Sequence, residues 1–571
     1  MDSRTLRFVV AALCAAPLAA QTTLESVSST GALGNQFSEA PSISADGRFL
    51  AFQSDATTLV AGDTNNVADI FLRDRALGLT TRLTMGLGGA ETNGSSSAPQ
   101  ISADGRVVTF LSWALNLVAG DTNAQPDVFV HDITTGITTR ASVNSAGVQA
   151  NAISFAPTIS ADGRYIAFHS AATNLVTGDT NGAWDVFVHD RSLATTTRAV
   201  SSITAGQPNG PCAAASLSAD GRFLAFHSSA TNLVAGDTNA AWDVFVRDLV
   251  TGVTERVSLS SAGVPGNAGS VEPSLSADGR FVAFHSAATN LVSGDFNAAE
   301  DVFLRDRTLG LTVRASVGAG GLEGDSVSRK ARLSADGRVV VFESNASTLD
   351  PGDLNTTWDV FAHDRITGLT EIVSVDSNGG GGDYASNVGA LSANGRFVVF
   401  QSYATNLVSG DTNNTRDVFL RDRGNDAPAA YCTAGTTSLG CVAAISASGL
   451  PSASATSGFT LSVANLDGQR SGLVFYGVTG GVEFPWAPGS SSFLCVKSPT
   501  QRLPLQSTGG TVGSCDGSLA IDFLAFLAAN PGSLGQPFSS GDAVYAQAWF
   551  RDPPSPKSTS LSAGLVFTLQ P

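Results

Sequence analysis

An aspartate, an asparagine two residues later and a second aspartate four residues after that recur seven times along this chain. The sets are Asp63/Asn65/Asp69, Asp121/Asn123/Asp127, Asp179/Asn181/Asp185, Asp237/Asn239/Asp243, Asp295/Asn297/Asp301, Asp353/Asn355/Asp359 and Asp411/Asn413/Asp417. Oxygen ligands at alternating positions of a loop can wrap calcium. The spacing opens a calcium reading, with Asp63, Asn65, Asp69, Asp179, Asn181, Asp185, Asp237, Asn239 and Asp243 as ligands. The competing reading is structural. An oxygen side chain is usually missing between the asparagine and the second aspartate, as at Ala183, and no bidentate glutamate follows. Asp and Asn also fold loops through hydrogen bonds to nearby backbone, and that role is the one expected here.

Other reactive side chains recur in the same tiled way. His169, His227 and His285 occupy one recurring position, and His131, His189 and His363 another. Catalytic groups act singly, so these are expected to be framework or channel-lining residues. Trp184, Trp242 and Trp358 share a third position. Packing against the neighbouring unit is expected for them, and exposure would reopen sugar stacking. The sequence has no G-x-S-x-G elbow, no H-E-x-x-H and no phosphate loop, so no catalytic residue and no cofactor is assigned, calcium aside.

What positions these residues is a repeat. The glycine of an Asp/Asn-Gly turn falls at Gly47, Gly105, Gly163, Gly221, Gly279, Gly337 and Gly395, each 58 residues after the last. Each unit carries four strand signals. In the third copy they are FAPTIS around Pro157–Ser160, RYIAFHS over Arg164–Ser170, DVFVHD over Asp185–Asp190, and TTTRAVS. Phe52, Phe110, Phe168, Phe226, Phe284, Phe342 and Phe400 hold one position of the second strand, with apolar neighbours on both sides. Such a strand is buried on both faces, which excludes a membrane barrel with a polar lumen. Four short strands per unit is the pattern of a propeller blade. Thr22–Gly31 is in phase with Thr138–Gly147 as a fourth-type strand, while the seventh copy lacks one. The chain is therefore expected to be all-β, a seven-bladed β-propeller over residues 22–427 whose N-terminal strand closes the ring and hides sheet edges.

The Ser-Ala-Asp-Gly-Arg turns at Ser44–Arg48, Ser102–Arg106 and Ser160–Arg164 resemble those of TolB-like propeller families, which carry Ser-Pro-Asp-Gly-Arg before a strand ending in Phe. The resemblance spans all seven repeats, with Asn394 replacing Asp in the last. It implies the fold and leaves the function open, because such propellers include binding scaffolds, transport subunits and non-catalytic peptidase domains.

The first-to-second and third-to-fourth turns are short and share one face. The second-to-third and fourth-to-first connections are long and share the other, which is the candidate binding face. Its fourth-to-first loops differ between copies, and Glu91, Asn93, Glu323, Asp325, Arg329, Lys330, Asp383 and Tyr384 are the candidate ligand-binding residues.

The 571 residues carry a net charge of -17, which argues against nucleic acid as a partner. Residues 1–20 read as a signal peptide, with Arg4 and Arg7 before an apolar run ending in small residues. The run is too short for a transmembrane anchor, so an exported product is expected: periplasmic, cell-surface or secreted. Beyond Cys14 and Cys212, the cysteines are Cys432, Cys441, Cys495 and Cys515. Three pairings connect four cysteines, and the local ones, Cys432–Cys441 and Cys495–Cys515, are expected. Cys212 is expected to be a buried small residue.

Residues 428–571 lack the repeat and read as a small β-sandwich, with Ser518–Ala528 expected as strand. This segment is similar to a cysteine-containing module of secreted planctomycete-type proteins, in Tyr431–Ala434 and Trp549–Asp552. The expected function is an exported, monomeric, non-enzymatic scaffold that binds a protein or glycan on the long-loop face. The alternatives are an extracellular propeller enzyme acting on polysaccharide, as lyase or hydrolase, and a structural envelope protein.

Overall fold

The computed structural model describes residues 20–424, 429–431, 436–448, 451–453, 455–479, 481–486, 492–538, 542–553 and 558–569. The expected signal sequence up to residue 19, the segment 425–428 and Cys432 lie outside the described residues.

The Ser-Ala-Asp-Gly-Arg turn is built from its own side chains. In the first repeat Ser44 Oγ donates to Asp46 Oδ1 at 2.6 Å and accepts from the N–H of Phe49. Asp46 Oδ1 also accepts the Arg48 N–H. Gly47 has φ +76°, a left-handed conformation that glycine adopts without steric cost. Arg48 then reaches Asp74 at the end of the third strand at 2.8 Å. The turn thus fixes the register of the hairpin and ties it to the next strand.

Each repeat yields four antiparallel strands. In the third copy these are Ser154–Ile159, Tyr165–Ser170, Asp185–Asp190 and Thr195–Arg198, paired in chain order. The first strand begins at Ser154, one residue before the expected FAPTIS. A register shift between Phe155 and Thr158, with Ala156 at φ 46°, makes it a bulged strand that alternation does not reveal.

Among the described residues, seven four-stranded sheets of this kind are present, and each lies against the next, with the last against the first. This is a β-propeller arrangement. One core cluster joins Ala167 and Val186 of the third repeat to Leu224 and Phe226 of the fourth; another joins Leu50 and Phe52 of the first to Val399 and Leu420 of the seventh. The second- and third-strand phenylalanines stack within each sheet, as Phe226 and Phe245 do at 5.6 Å, and both are fully buried. Each such side chain contributes up to about 3 kcal/mol by leaving water.

The alanine of each tight turn donates its N–H to the carbonyl of its counterpart in the next repeat: Ala45 to Ala103, then Ala161, Ala219, Ala277, Ala335 and Ala393, whose own N–H returns to Ala45. The backbones meet at this end. The strand Gln21–Leu24 pairs antiparallel with Asp417–Asp422 and fills the fourth-strand place of the seventh sheet. Ser26 Oγ donates to Asp417 Oδ1 at 2.6 Å, as Ser142 does to Asp127 inside the second repeat.

The C-terminal segment folds around two apolar clusters, one that includes Phe459, Leu461, Tyr476, Phe523, Val544 and Phe567 and a second of Phe475, Val496, Tyr545, Leu561 and Val566. Thr559–Thr568, Ala543–Arg551 and Ser471–Gly477 form adjacent strands of one sheet, and Ala444–Ser448, Thr460–Leu466 and Gly517–Asp522 form another. Two expectations are corrected here. Cys441 is bonded to Cys515, not to either local partner. Both local pairs are thereby ruled out, because chain proximity does not decide which sulfurs the sheets bring together. The segment Ser518–Ala528 is not one strand. It is strand to Asp522 and helix over Phe523–Ala529, because Asp522 caps the helix by accepting the Ala525 N–H. Among the described residues no helix is long and apolar enough to cross a membrane.

Candidate ligand-binding face

The Asp-x-Asn-x-x-x-Asp loops are held by side-chain hydrogen bonds. Asn123 Oδ1 accepts the N–H of Gln125, and its Nδ2 donates to Asp127 Oδ2 at 2.9 Å and to the Ala150 carbonyl at 2.9 Å. The same asparagine bonds tie the second-to-third loop to the fourth-to-first loop at Asn181, Asn239, Asn297, Asn355 and Asn413. In five repeats a fourth-strand arginine faces both aspartates. Arg82 Nη1 lies 3.0 Å from Asp63 Oδ1 and 3.3 Å from Asp69 Oδ2; Arg256 Nη1 lies 3.1 Å from Asp237 and 3.1 Å from Asp243. Arg198 faces Asp179 and Asp185 at 3.8 and 3.9 Å. The calcium candidates of the first, third and fourth repeats thus each have a guanidinium between their carboxylates. Asp63, Asp69 and Glu91 are close enough to share an ion, as are Asp295, Asp301 and Glu323, but Arg82 and Arg314 sit among them. Burial pushes Asp63 up to about 6 against the pull of Arg82. Asp185 is also pushed up to about 6 by burial, and its Oδ1 lacks a hydrogen-bond partner because Val200 stands where other repeats have Ser or Thr.

Most loop candidates are spent on this frame. Glu91 forms a two-point ion pair with Arg82. Glu323 accepts from Arg314 and from the Phe296 N–H. Asn93, Asp325 and Asp383 are one repeat position, and each accepts the N–H of a residue in the following second-to-third loop: Leu115, Ser347 and Thr405. The loops differ in sequence around a shared turn. Tyr384 is exposed.

Arg329 and Lys330 lie elsewhere, on the first strand of the sixth repeat, where its bulge puts Lys330 at φ 54°. They mark the region that does vary. At the long-loop end of the first three strands, four repeat positions carry unlike residues. The first-strand position holds Glu39, Ser97, Phe155, Ala213, Val271, Arg329 and Asn387. The others include Gln53, His169, His227 and Glu343; Trp113 and Tyr403; and Trp184, Trp242, Trp358 and Arg416.

These residues meet in two kinds of cluster. One is aromatic: Phe155 lies 6.2 Å from Trp113, 6.1 Å from Trp184 and 6.3 Å from His169 between ring centroids. Trp113 is 44% exposed. The rings of Trp184 and Trp242 contact His169 and His227 of their own repeats, where packing on the next unit was expected. A second platform pairs Phe37 with Tyr403, beneath Arg416. The other cluster is charged. Glu343 is fully buried, and its Oε1 meets Arg329 Nε at 2.9 Å and Lys330 Nζ at 3.2 Å, while Asn387 donates to Oε2 at 3.0 Å. Arg329 also lies 4.2 Å from the Trp358 ring. Two cations thus converge on one carboxylate.

The histidines are neutral near pH 7. Burial pushes His169 and His227 down to about 4. His227 Nδ1 accepts the Glu272 N–H of the next repeat, so its proton sits on Nε2. His131, His189 and His363 each bond a fourth-strand threonine at 2.9 Å. Burial pushes the Cys212 thiol up to about 12, which leaves it unreactive. Aromatic faces can stack on a sugar ring, and the separate cationic spot on the sixth repeat can pair with an anionic group. Sequence reasoning missed Trp113, Phe155 and Tyr403; their signal is variation at fixed repeat positions inside strands and strand ends.

No protein-family model matches the sequence. No curated protein matches it. Among solved structures, the chain is similar to TolB from Acinetobacter baumannii at 18% identity over 49% of this chain and 54% of that chain, with a TM-score of 0.29. It is similar to a putative TolB from Agrobacterium tumefaciens at 18% identity over 53% and 87%, with a TM-score of 0.32. It is similar to an acylaminoacyl peptidase of Pyrococcus horikoshii at 8% identity over 76% and 59%, with a TM-score of 0.42. No residue's role is carried over from chains this distant.

Proposed function

We propose that this chain is an exported, non-enzymatic seven-bladed β-propeller, closed by its N-terminal strand and followed by a small β-sandwich, and that it binds a glycan at its long-loop mouth. The circle of seven alanine hydrogen bonds and the pairing of Gln21–Leu24 with Asp417–Asp422 support the closed ring. The observation that carries the ligand class is the aromatic arc of Trp113, Phe155 and Trp184, partly open to solvent at the long-loop strand ends, where residues vary between repeats. Rigid aromatic surface gives contact area at little conformational cost. The cations Arg329 and Lys330, both part-exposed, favour a glycan with acidic groups.

Retention of the mature chain on immobilised polysaccharides tests this, with a neutral β-glucan and a polyuronate as probes. Trp113→Ala and Trp184→Ala are expected to lose retention while melting like the parent. Unchanged retention of both variants, or no retention of the parent, refutes the reading. The convergence of Arg329, Lys330 and buried Glu343 favours a second reading, an extracellular polysaccharide lyase or hydrolase. Release of unsaturated or reducing ends from the same polymers identifies that activity.

A further inference from the structure

The guanidinium that compensates the loop aspartates is missing from two repeats. The position of Arg82, Arg140, Arg198, Arg256 and Arg314 is Ile372 in the sixth repeat, and in the seventh it is supplied by the N-terminal strand as Leu24. The carboxylates remain. Asp417 is fully buried, and Asp411 is 8% exposed with an Oδ1 that has no hydrogen-bond partner. Asp353 Oδ1 is likewise buried and unpartnered, beside fully buried Asp359.

A second difference falls on the same two repeats. The residue between the asparagine and the second aspartate is Val67, Gln125, Ala183, Ala241 or Ala299 where the arginine is present, but Thr357 and Thr415 where it is absent. Thr415 Oγ1 is buried beside the Asp417 carboxylate, while Thr357 Oγ1 donates to Asn355 Oδ1 at 3.0 Å. The two loops therefore read Asp-x-Asn-x-Thr-x-Asp, with oxygen side chains at every second position. More acid lies nearby: Asp350 and Asp325 repel Asp353, and Asp383 repels Asp411.

We propose that the sixth and seventh repeats each bind one calcium-class divalent cation, held by Asp353, Thr357 and Asp359 and by Asp411, Thr415 and Asp417. The ion takes the place that the arginine nitrogen holds between the two carboxylates in the other five repeats. Clustered carboxylate and hydroxyl oxygens on a loop suit a hard cation that tolerates irregular coordination. Without it, the paired carboxylates, buried at Asp359, Asp411 and Asp417 and partly buried at Asp353, have no cation between them. An ion bound only by the native state stabilises it in proportion to its affinity and concentration. This inference does not rest on the glycan reading.

The test is calorimetric titration of chelator-stripped mature chain with calcium chloride at pH 7.5, reading stoichiometry. Two calcium ions per chain are expected. Ile372→Arg and Leu24→Arg are each expected to remove one site, because they supply the missing guanidinium. Thr357→Val and Thr415→Val leave the apolar core intact and are expected to weaken their own site at least tenfold, which keeps the test open if an arginine variant fails to fold. A stoichiometry of zero or seven overturns the proposal. So does a stoichiometry of two that folded arginine variants leave unchanged, or threonine variants that bind like the parent.

Discussion

Arg256→Met isolates the task that the fourth-strand arginines perform. The Arg256 side chain is 8% exposed, and its partners Asp237 and Asp243 are 4% and 0% exposed. Removing one partner of a buried ion pair leaves an uncompensated charge and costs about 3–5 kcal/mol. Methionine retains much of the stem packing, so the charge dominates the difference. Unfolding entropy near 2.1 cal/mol/K per residue, over about 400 repeat residues, gives on the order of 0.85 kcal/mol/K. The melting temperature should then fall by roughly 4–6 °C at pH 7.5 in chelator. The pH dependence has a definite sign. Burial and repulsion by Asp243 already raise Asp237, and Arg256 opposes them. Without the arginine the folded-state value rises further above the unfolded one. Stability is then kept below the unfolded value and lost as pH rises through the folded one. The deficit against the parent should shrink at pH 4.5. Scanning calorimetry at the two pH values measures it. A deficit below about 1 °C at pH 7.5, or the same deficit at both, refutes this account of the arginine.

Gly221→Ala should destabilise by about 2–4 kcal/mol, since its Cβ would meet the Tyr165 ring at 2.2 Å in a φ of +69°. Gly147→Ala, at φ +77° in open space, should cost only about 1–2 kcal/mol, and chemical denaturation of both variants separates the clash from the backbone term. Cys441→Ser with Cys515→Ser opens a loop of 74 residues and should cost the C-terminal segment up to about 4 kcal/mol by chain entropy, read as a lower denaturation midpoint. At acid pH, Asp364 should set part of the loss: burial opposes ionisation, yet Arg338 at 2.6 Å holds its carboxyl below the usual range. That stability is present above the unfolded value and lost as pH falls through the folded one. Arg338→Met should therefore shift the acid-unfolding midpoint upward, measurable by circular dichroism.

The sheets were legible because each reports itself in local pattern. The Ser-Ala-Asp-Gly-Arg turn, the paired phenylalanines and the phase of Thr22–Gly31 each have a direct counterpart in hydrogen bonds or pairing. The bulge at Ala156 was not legible, because a left-handed alanine leaves no mark in alternation. The stretch after Asp522 reads as strand although it is helix, since an apolar run flanking one aspartate fits both periods. Cysteine spacing could not reveal Cys441–Cys515, because the bond depends on which strands the core brings together. At the candidate site, Asn93, Asp325 and Asp383 looked like variation but perform one bond at one repeat position. Real variation sits at strand ends, at Phe155, Trp184 and Arg329. Aligning every copy on the period exposes it, as it exposes Ile372 and Leu24 among the arginines.

The most direct test of the binding face is a tryptophan-fluorescence titration of the mature chain with soluble polyuronate and neutral β-glucan. Saturable quenching is expected with at least one polymer. The Trp113→Ala, Trp184→Ala double variant should bind it 10–100-fold more weakly, about 1.4–2.8 kcal/mol, at an unchanged melting temperature. Binding of that variant with the parent's affinity, or a parent that binds neither polymer, contradicts the assignment of the long-loop mouth as a glycan site.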